Sequence, residues 1–190
     1  GPERADCLAA RVQARYADAL VVHRLDMGTS GLIVFARGLQ AQRHLGMAFA
    51  ERRVHKTYVA VVGGAVVADA GEIDLPLITD WPNRPRQMVD HARGKPSLTR
   101  WRVLERHSAA DTTPDADACR TRLELTPVTG RSHQLRVHLM AIGHPIVGDE
   151  LYAPPTLAAA APRLLLHAHE LVLPHPTGGH TVAFSSPMPF

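Results

Sequence analysis

The residues best suited to chemistry form the run His23-Arg24-Leu25-Asp26-Met27-Gly28-Thr29-Ser30-Gly31. This run places one carboxylate, that of Asp26, in a glycine-punctuated connection between two apolar stretches. Gly28 and Gly31 permit backbone angles that other residues resist, so the turn can be tight and well ordered. A rigid turn at a strand end is a good mount for a catalytic carboxylate, which serves as a nucleophile or a general base. The residues alone also allow a purely turn-capping role for Asp26.

Two further segments carry polar groups with a chemical use. Lys56-Thr57-Tyr58 opens an apolar strand, and we expect that strand to present Lys56 and Tyr58 on opposite faces. The run from Gly130 to His138 begins a helix with arginines and histidines near its start. Unpaired backbone N–H groups at a helix start favour anions, so Arg131 and His133 are candidates for holding phosphate, with a solvated helix entrance as the alternative.

The order of these motifs resembles the RluA-type family of pseudouridine synthases. The matching segments are HRLDxxTSG, KTY, TGRSHQLRVH, GHPIVGDELY and LLLHAHELVLPHP, and together they extend over essentially all 190 residues. The resemblance implies conversion of uridine to pseudouridine in RNA. In that reaction the bond from N1 to the ribose breaks, the base rotates, and C5 is joined to the same ribose carbon. Because no atoms or electrons are gained, we expect no cofactor and no metal.

The resemblance also implies three catalytic residues. Asp26 matches the catalytic aspartate, either as a nucleophile at ribose C1′ or as a base at C2′. Arg136 matches the arginine that favours the charged form of this carboxylate and orients it through paired hydrogen bonds. Tyr58 matches the tyrosine that packs against the target base, for which a flat ring with a polar tip is suited. Without the other motifs, an ordinary aromatic of the core would be the better interpretation of Tyr58.

RNA-binding residues follow from the same resemblance and from local charge. A base inside a stack cannot reach a buried carboxylate, so the target uridine must flip out, at a cost of roughly a few kcal/mol. Arg24 matches the residue that inserts where the base leaves, and a planar guanidinium suits that place. The predicted RNA-binding set is Arg24, Lys56, Arg84, Arg86, Arg131 and His133.

The segment Asp74–Gln87, DLPLITDWPNRPRQ, narrows the resemblance. Its prolines and its tryptophan predict an ordered loop with a basic side formed by Arg84 and Arg86. Its sequence resembles that of the RluA branch of the family. Members of this branch act on a tRNA anticodon stem-loop and on a loop of 23S ribosomal RNA. A loop that merely stabilises the sheet is the alternative.

Two other classes of function compete with this interpretation. A non-catalytic RNA-binding or RNA-remodelling protein would retain the fold, but the presence of Asp26, Tyr58 and Arg136 together argues against it. A metalloenzyme is suggested by the twelve histidines, including His167-Ala168-His169, a spacing that can bind zinc. No third ligand stands out near that pair, so we expect no metal site.

Composition agrees with an RNA enzyme. The formal net charge of +3 favours polyanionic partners, and 45% apolar residues in 190 can bury the core of one domain, residues 1–190. Two cysteines and the lack of a membrane-length apolar stretch favour a cytoplasmic protein, which we expect to be a monomer. Relatives usually carry a strand upstream of HRLD, so we expect an N-terminal strand segment to be missing from this sequence.

The predicted helices and strands that position these residues indicate an α+β fold. The resemblance implies the pseudouridine synthase catalytic fold, an extended and mainly antiparallel mixed sheet with helices and loops lining a central cleft. Alternating or β-branched patterns predict strands at 19–22, 32–35, 58–62, 98–104, 120–126, 164–173 and 180–184. Apolar spacing predicts one helix through residues 41–49, ending near Arg53, and another through Leu135, Leu139 and Ile142. Residues 108–118 are predicted to be a surface loop.

Overall fold

The computed structural model describes residues 6–107 and 119–190, so the loop predicted at 108–118 lies outside the described residues. Helices and strands follow in this order: α1 Leu8–Arg15, β1 Ala19–Val21, β2 Ser30–Gly31, β3 Phe35–Arg37, α2 Gly38–Ala50, β4 His55–Gly63, β5 Ala70–Asp74, β6 Leu77–Thr79, β7 Gln87–Val89, β8 Leu98–His107, β9 Arg120–Pro127, α3 Gln134–Ala141, α4 Pro155–Ala158, β10 Leu166–Pro174 and β11 Thr181–Ser185.

The described residues form one large sheet in the order β11-β10-β4-β9-β8-β5, and the short strand β2 adds to β10. The β2–β10 pairing is parallel, whereas the other neighbours in this sheet are antiparallel. Strand β1 pairs with β3, and β6 pairs with β7. The predicted α+β class with a mainly antiparallel mixed sheet is therefore confirmed.

Helix α3 covers the middle of this sheet. Along β9, buried and half-buried residues alternate from Arg120 to Pro127, as expected for a strand with one face on the core. The buried face contributes Leu123 and Leu125, which belong to the same apolar cluster as Leu135 and Leu139 of α3. This packing sets the position of the α3 N-terminus, which borders the candidate site.

Helix α2 supports the segment that carries Asp26. Its buried residues Leu45 and Ala48 cluster with Leu171 of β10. Val22 and Leu32, which flank the Asp26 turn, pack against the same cluster. The predicted helix is confirmed, since α2 ends at Ala50, close to the expected end.

The strand predicted at residues 32–35 is wrong for most of its length, because its backbone leaves the ladder. The N–H of Leu32 donates to the carbonyl of Ala168 at 2.9 Å, and the N–H of Val34 donates to His23 Nε2 at 3.0 Å. Only Phe35 lies in a strand, β3. The strands predicted near β1, β4, β8, β9, β10 and β11 are confirmed, whereas α1, β5 and the β6–β7 hairpin were not predicted.

No helix among the described residues is both long enough and apolar enough to cross a bilayer.

Candidate active site

The turn that carries Asp26 depends on glycine. The N–H of Thr29 donates to the Asp26 carbonyl at 3.1 Å, and Gly28 and Gly31 have φ of 86° and 101°, values that disfavour side chains. A Cβ on Gly31 would also lie 2.2 Å from the carbonyl oxygen of Ala168. Glycine at position 31 is therefore required both by conformation and by close backbone packing.

The sheet brings the Asp26 turn next to Tyr58. On β10, Ala168 pairs with Gly31 of β2 on one side and with Tyr58 of β4 on the other. Ser30 Oγ lies 2.9 Å from His167 Nδ1, which adds a side-chain hydrogen bond to the short parallel pairing. Strand β10 thus lies between β2, which follows Asp26, and β4, which bears Tyr58. At this point Ala168 is the one residue between them.

An open cleft of about 270 Å³ lies at this place. Its walls are residues 23–26, 29, 49, 56, 58, 127, 129–131, 134, 135 and 166. The structure therefore brings together the predicted site residues Arg24, Asp26, Lys56, Tyr58 and Arg131 around one opening. Arg136 and His133 lie outside this lining, but both interact electrostatically with Asp26.

The two predicted residues of β4 share the cleft, so the expectation that Lys56 and Tyr58 occupy opposite faces is wrong. The physical reason is the period of two along a strand, which returns residues i and i+2 to the same face. Burial, with a smaller contribution from the charge of Asp26, raises the pKa of Tyr58 to about 12. Burial lowers the pKa of Lys56, and no hydrogen bond or ion pair to this ammonium is present among the described residues.

The carboxylate of Asp26 is unpaired. Within residues 6–107 and 119–190, no hydrogen bond or ion pair reaches it. A second unpaired group lies nearby, because Thr29 Oγ1, on the cleft wall, is buried without a hydrogen-bond partner in the same described ranges. The cleft therefore offers an anion, a hydroxyl and the phenol of Tyr58 to a ligand.

The structure pairs Arg136 with Asp149. Nε donates to Oδ2 at 2.7 Å and Nη2 donates to Oδ1 at 2.6 Å. Burial lowers the pKa of Arg136, but the hydrogen bond and charge of Asp149, with a smaller contribution from Asp26, outweigh it and raise that pKa overall. The predicted orientation of Asp26 by paired hydrogen bonds from Arg136 is therefore not present in this state of the protein.

His133 is the N-cap of α3 and has a left-handed backbone, with φ of 53°. Its Nδ1 lies 2.7 Å from the hydroxyl of Tyr152, and its ring meets the Tyr152 ring edge-on. Burial is the largest of the effects that lower the pKa of His133. Arg131, two residues earlier, donates its backbone N–H to Gln134 Oε1 at 3.0 Å.

Arg84 and Arg86 lie in the connection of the β6–β7 hairpin. Arg84 places its guanidinium 4.1 Å from the ring centroid of Trp81, and Trp81 is 67% exposed. Arg86 lies over the ring of Tyr152 at 5.4 Å. Asn83 braces the turn by donating Nδ2 to both carboxylate oxygens of Asp80, at 3.1 and 3.0 Å. The predicted ordered, basic loop is thus a hairpin tip with an exposed aromatic ring.

Sequence reasoning missed Asp149, Tyr152 and His23. The first two lie in the GHPIVGDELY segment, whose Asp-x-x-Tyr spacing was the available signal, although no role followed from it. His23 stacks on Phe49 with 4.6 Å between ring centroids. Burial, assisted by the charge of Lys56, lowers the pKa of His23 to about 4.

The histidines of β10 serve local hydrogen bonds. His167 contacts Ser30 on one side and the carbonyl of Ser186 on the other, and His169 also contacts the Ser186 carbonyl, at 2.8 Å. No group of three or more His, Cys, Asp or Glu side chains suited to a metal ion occurs in the part of the chain that the structure describes.

Comparison with known proteins gives one consistent family. The family model described as RNA pseudouridylate synthase matches residues 3–141. The chain is 48% identical over 189 residues to the dual-specificity RNA pseudouridine synthase RluA of Pasteurella multocida (strain Pm70), covering 100% of this chain and 82% of that protein. It is 50% identical over 188 residues to the protein of the same name from Escherichia coli (strain K12), covering 99% and 82%.

A solved structure agrees with these sequence matches. Human RNA pseudouridylate synthase domain containing 1 superimposes with a TM-score of 0.82 at 33% identity, covering 96% of this chain and 74% of that one. The chain therefore belongs to the RNA pseudouridylate synthase family.

Proposed function

We propose that this chain isomerises specific uridines to pseudouridine in structured RNA. The observation that carries the proposal is the unpaired carboxylate of Asp26 in a cleft shared with Tyr58 and Lys56. A half-buried anion without a partner has given up part of its hydration, so its place in a cleft that admits a ligand indicates use. The chain belongs to the RNA pseudouridylate synthase family, whose reaction converts uridine to pseudouridine. We infer that Asp26 takes part in this reaction.

The reaction needs little beyond these side chains. Asp26 attacks ribose C1′ as a nucleophile or removes a proton from C2′ as a base, and in both cases the N1–C1′ bond breaks and leaves a free uracil. After rotation of the base, C5 joins C1′ as the Asp26–C1′ ester breaks, or as Asp26 returns the proton to C2′. C5 then loses its proton and N1 gains one. The product is thus an isomer of the substrate.

Tyr58 and Arg136 support these steps without exchanging protons. With a pKa of about 12, the Tyr58 hydroxyl stays neutral at physiological pH, so its ring packs against uracil without an opposing charge. The guanidinium of Arg136, which is paired with Asp149, also attracts the negative charge of Asp26. Both mechanisms use the negative charge of the Asp26 carboxylate.

RNA contacts complete the proposal. Arg24 lies at the cleft and inserts where the flipped uridine leaves the stack. Lys56 and Arg131 bind phosphate or base oxygens at the cleft, His133 binds beside it, and Arg84 and Arg86 bind along the hairpin. We infer two substrates, a tRNA anticodon stem-loop and a loop of 23S ribosomal RNA, from the DLPLITDWPNRPRQ segment and from relatives that are named dual-specificity enzymes. We further propose a cytoplasmic monomer.

The deciding experiment incubates the protein with uridine-labelled tRNA and 23S rRNA transcripts, without added cofactor or metal, followed by nucleoside analysis. We expect pseudouridine from the wild type and a loss of roughly a thousandfold or more in Asp26→Asn, with RNA binding kept. Glu72→Gln, on the far edge strand β5, is the matched control and should keep full activity. RNA binding by a folded wild type that forms no product from either transcript would instead favour a non-catalytic RNA-binding protein.

A further inference from the structure

Tyr152 contacts three of the predicted site residues at once. Its buried hydroxyl lies 2.7 Å from His133 Nδ1 and accepts the backbone N–H of Gln87 at 2.7 Å. Its ring lies under the guanidinium groups of Arg86 and Arg136, 5.4 and 5.0 Å from the centroid. One side chain therefore joins the β6–β7 hairpin to the start of α3.

The hydrogen-bond partners of this hydroxyl determine where its proton lies. The N–H of Gln87 can only donate, so it uses one lone pair of the Tyr152 oxygen. If His133 Nδ1 also carried a hydrogen, the single hydroxyl hydrogen would find no acceptor within the described ranges. A buried donor without an acceptor is costly. The hydroxyl therefore donates to Nδ1, and His133 bears its own hydrogen on Nε2.

The surroundings of His133 favour the neutral form of this ring. Burial opposes the charged form most strongly, and the guanidinium groups of Arg136 and Arg24 act in the same direction. The carboxylates of Asp26 and Asp149 act against them but do not prevail, so the pKa of His133 lies below its ordinary value.

The backbone at His133 shows that the site is held in place. A left-handed conformation with φ of 53° is uncommon for a residue other than glycine. Such a conformation persists where surrounding contacts determine it, and it is frequent at functional sites. The contacts here are the hydrogen bond from Tyr152 and the edge-on packing of the two rings, with centroids 5.6 Å apart.

We propose that Tyr152 is a positioning residue that holds His133 as the neutral Nε2–H tautomer, so that this ring donates a hydrogen bond to an oxygen of the RNA nucleotide bound at the cleft. No other hydrogen bond occupies Nε2 among the described residues, so that donor is available. The same hydroxyl fastens the basic hairpin to His133, which sets the distance between the RNA-binding loop and the catalytic cleft. The role in RNA binding rests on the proposed function, whereas the tautomer does not.

The first test is nitrogen-15 NMR of the histidine rings in the full chain at pH 7.5. The His133 signals are assigned from their loss in His133→Gln. We expect the Nε2–H tautomer in the wild type. In Tyr152→Phe we expect loss of this preference and a higher pKa for His133, because the hydrogen bond that favours the neutral ring is gone. A wild-type His133 that is protonated on Nδ1, alone or together with Nε2, would overturn the proposal.

The second test uses single-turnover kinetics with the RNA transcript. We expect Tyr152→Phe to lower the rate constant roughly tenfold while RNA affinity changes by less than about threefold, because the ring and its contacts with arginine remain. Tyr16→Phe, an exposed tyrosine after α1, is the matched control. A wild-type rate constant and an unaltered His133 spectrum in Tyr152→Phe would refute the role. If the wild type makes no pseudouridine, the proposed function fails, but the NMR result still decides the tautomer.

Discussion

The guanidinium of Arg136 forms a two-point ion pair with the carboxylate of Asp149. The side chains are 6% and 0% exposed, so the pair is buried. Asp149 Oδ1 also accepts the N–H groups of Leu151 and Tyr152, at 3.0 and 3.1 Å. Asp149 therefore fixes both the arginine of α3 and the backbone that leads into Tyr152.

Asp149→Ala should destabilise the protein strongly, because it leaves a buried guanidinium without its counter-charge. We expect the free energy of unfolding to fall by about 3–5 kcal/mol, measured by urea denaturation. Glu72→Gln, which removes an exposed ion pair with Arg100, should change it by less than about 1 kcal/mol. A similar small effect for Asp149→Ala would show that the buried pair does not hold this region together.

Lys56→Met should make the free protein more stable and a poorer enzyme. Burial without a partner disfavours the ammonium of Lys56, so its removal should raise the free energy of unfolding by roughly 1 kcal/mol. RNA affinity or turnover should fall, because the cleft loses one of the cations that line it. Chain stability from denaturation and activity on the same RNA are measured together.

The other lysine of the sequence provides a matched control, since Lys95 is exposed. Lys95→Met should leave both quantities close to those of the wild type. A Lys56→Met protein that is both less stable and fully active would contradict the interpretation of Lys56 as an unpaired functional cation.

Acid should destabilise the fold through His23. Protonation would remove the acceptor Nε2 from the N–H of Val34, and burial lowers the pKa of His23 to about 4. Below pH 6.5, the unfolded chain takes up a proton on this ring while the folded chain does not, so stability falls with pH until about pH 4. The loss should reach about 3 kcal/mol.

This pH effect is measured by denaturation at pH 7.5, 6, 5 and 4. In His23→Asn the decline over this range should be flatter, whereas His91→Asn, at an exposed histidine, should follow the wild-type curve. Equal slopes for the wild type and His23→Asn would place the acid sensitivity elsewhere.

The hairpin tip should contribute to RNA binding in two separable ways. Trp81→Ala should weaken binding by about 1–3 kcal/mol if an unpaired base stacks on the exposed indole, with little effect on the salt dependence. Arg84→Gln should reduce the slope of log affinity against log salt by about 0.7–0.9. Both are measured by filter binding of tRNA over a range of salt concentrations.

Arg43, which is exposed on α2, supplies the control for these measurements. Arg43→Gln should keep the affinity and the slope of the wild type. If Trp81→Ala and Arg84→Gln behave like Arg43→Gln, the hairpin points away from the bound RNA.

Local patterns were sufficient for much of this fold. The Asp26 turn followed from two glycines, and α2 followed from the spacing of Leu45, Ala48 and their neighbours. The period of two along a strand also predicts that Lys56 and Tyr58 share a face, so the expectation of opposite faces was wrong for a local reason. Family resemblance predicted which side chains gather at the cleft, and the structure brings most of them there.

Other features depend on contacts between distant parts of the chain. Residues 32–35 have the composition of a strand, but the imidazole of His23 and the carbonyl of Ala168 take their backbone N–H groups. The choice of Asp149 as the partner of Arg136 is decided by how the turn after α3 packs. Neither segment has a hydrophobic periodicity that indicates this ion pair. The sequence motif by itself therefore suggested Asp26 as the partner of Arg136.

The pairing of Gly31 and Tyr58 on either side of Ala168 has a consequence for cooperativity. A loop that hangs free from a sheet can open while the rest of a protein stays folded. Here the backbone hydrogen bonds that end the Asp26 turn belong to the same sheet as the central strands, so releasing the turn means breaking the pairing of β2 with β10. The Asp26 turn therefore stays closed for as long as the sheet stays folded, and its geometry is set when the chain folds.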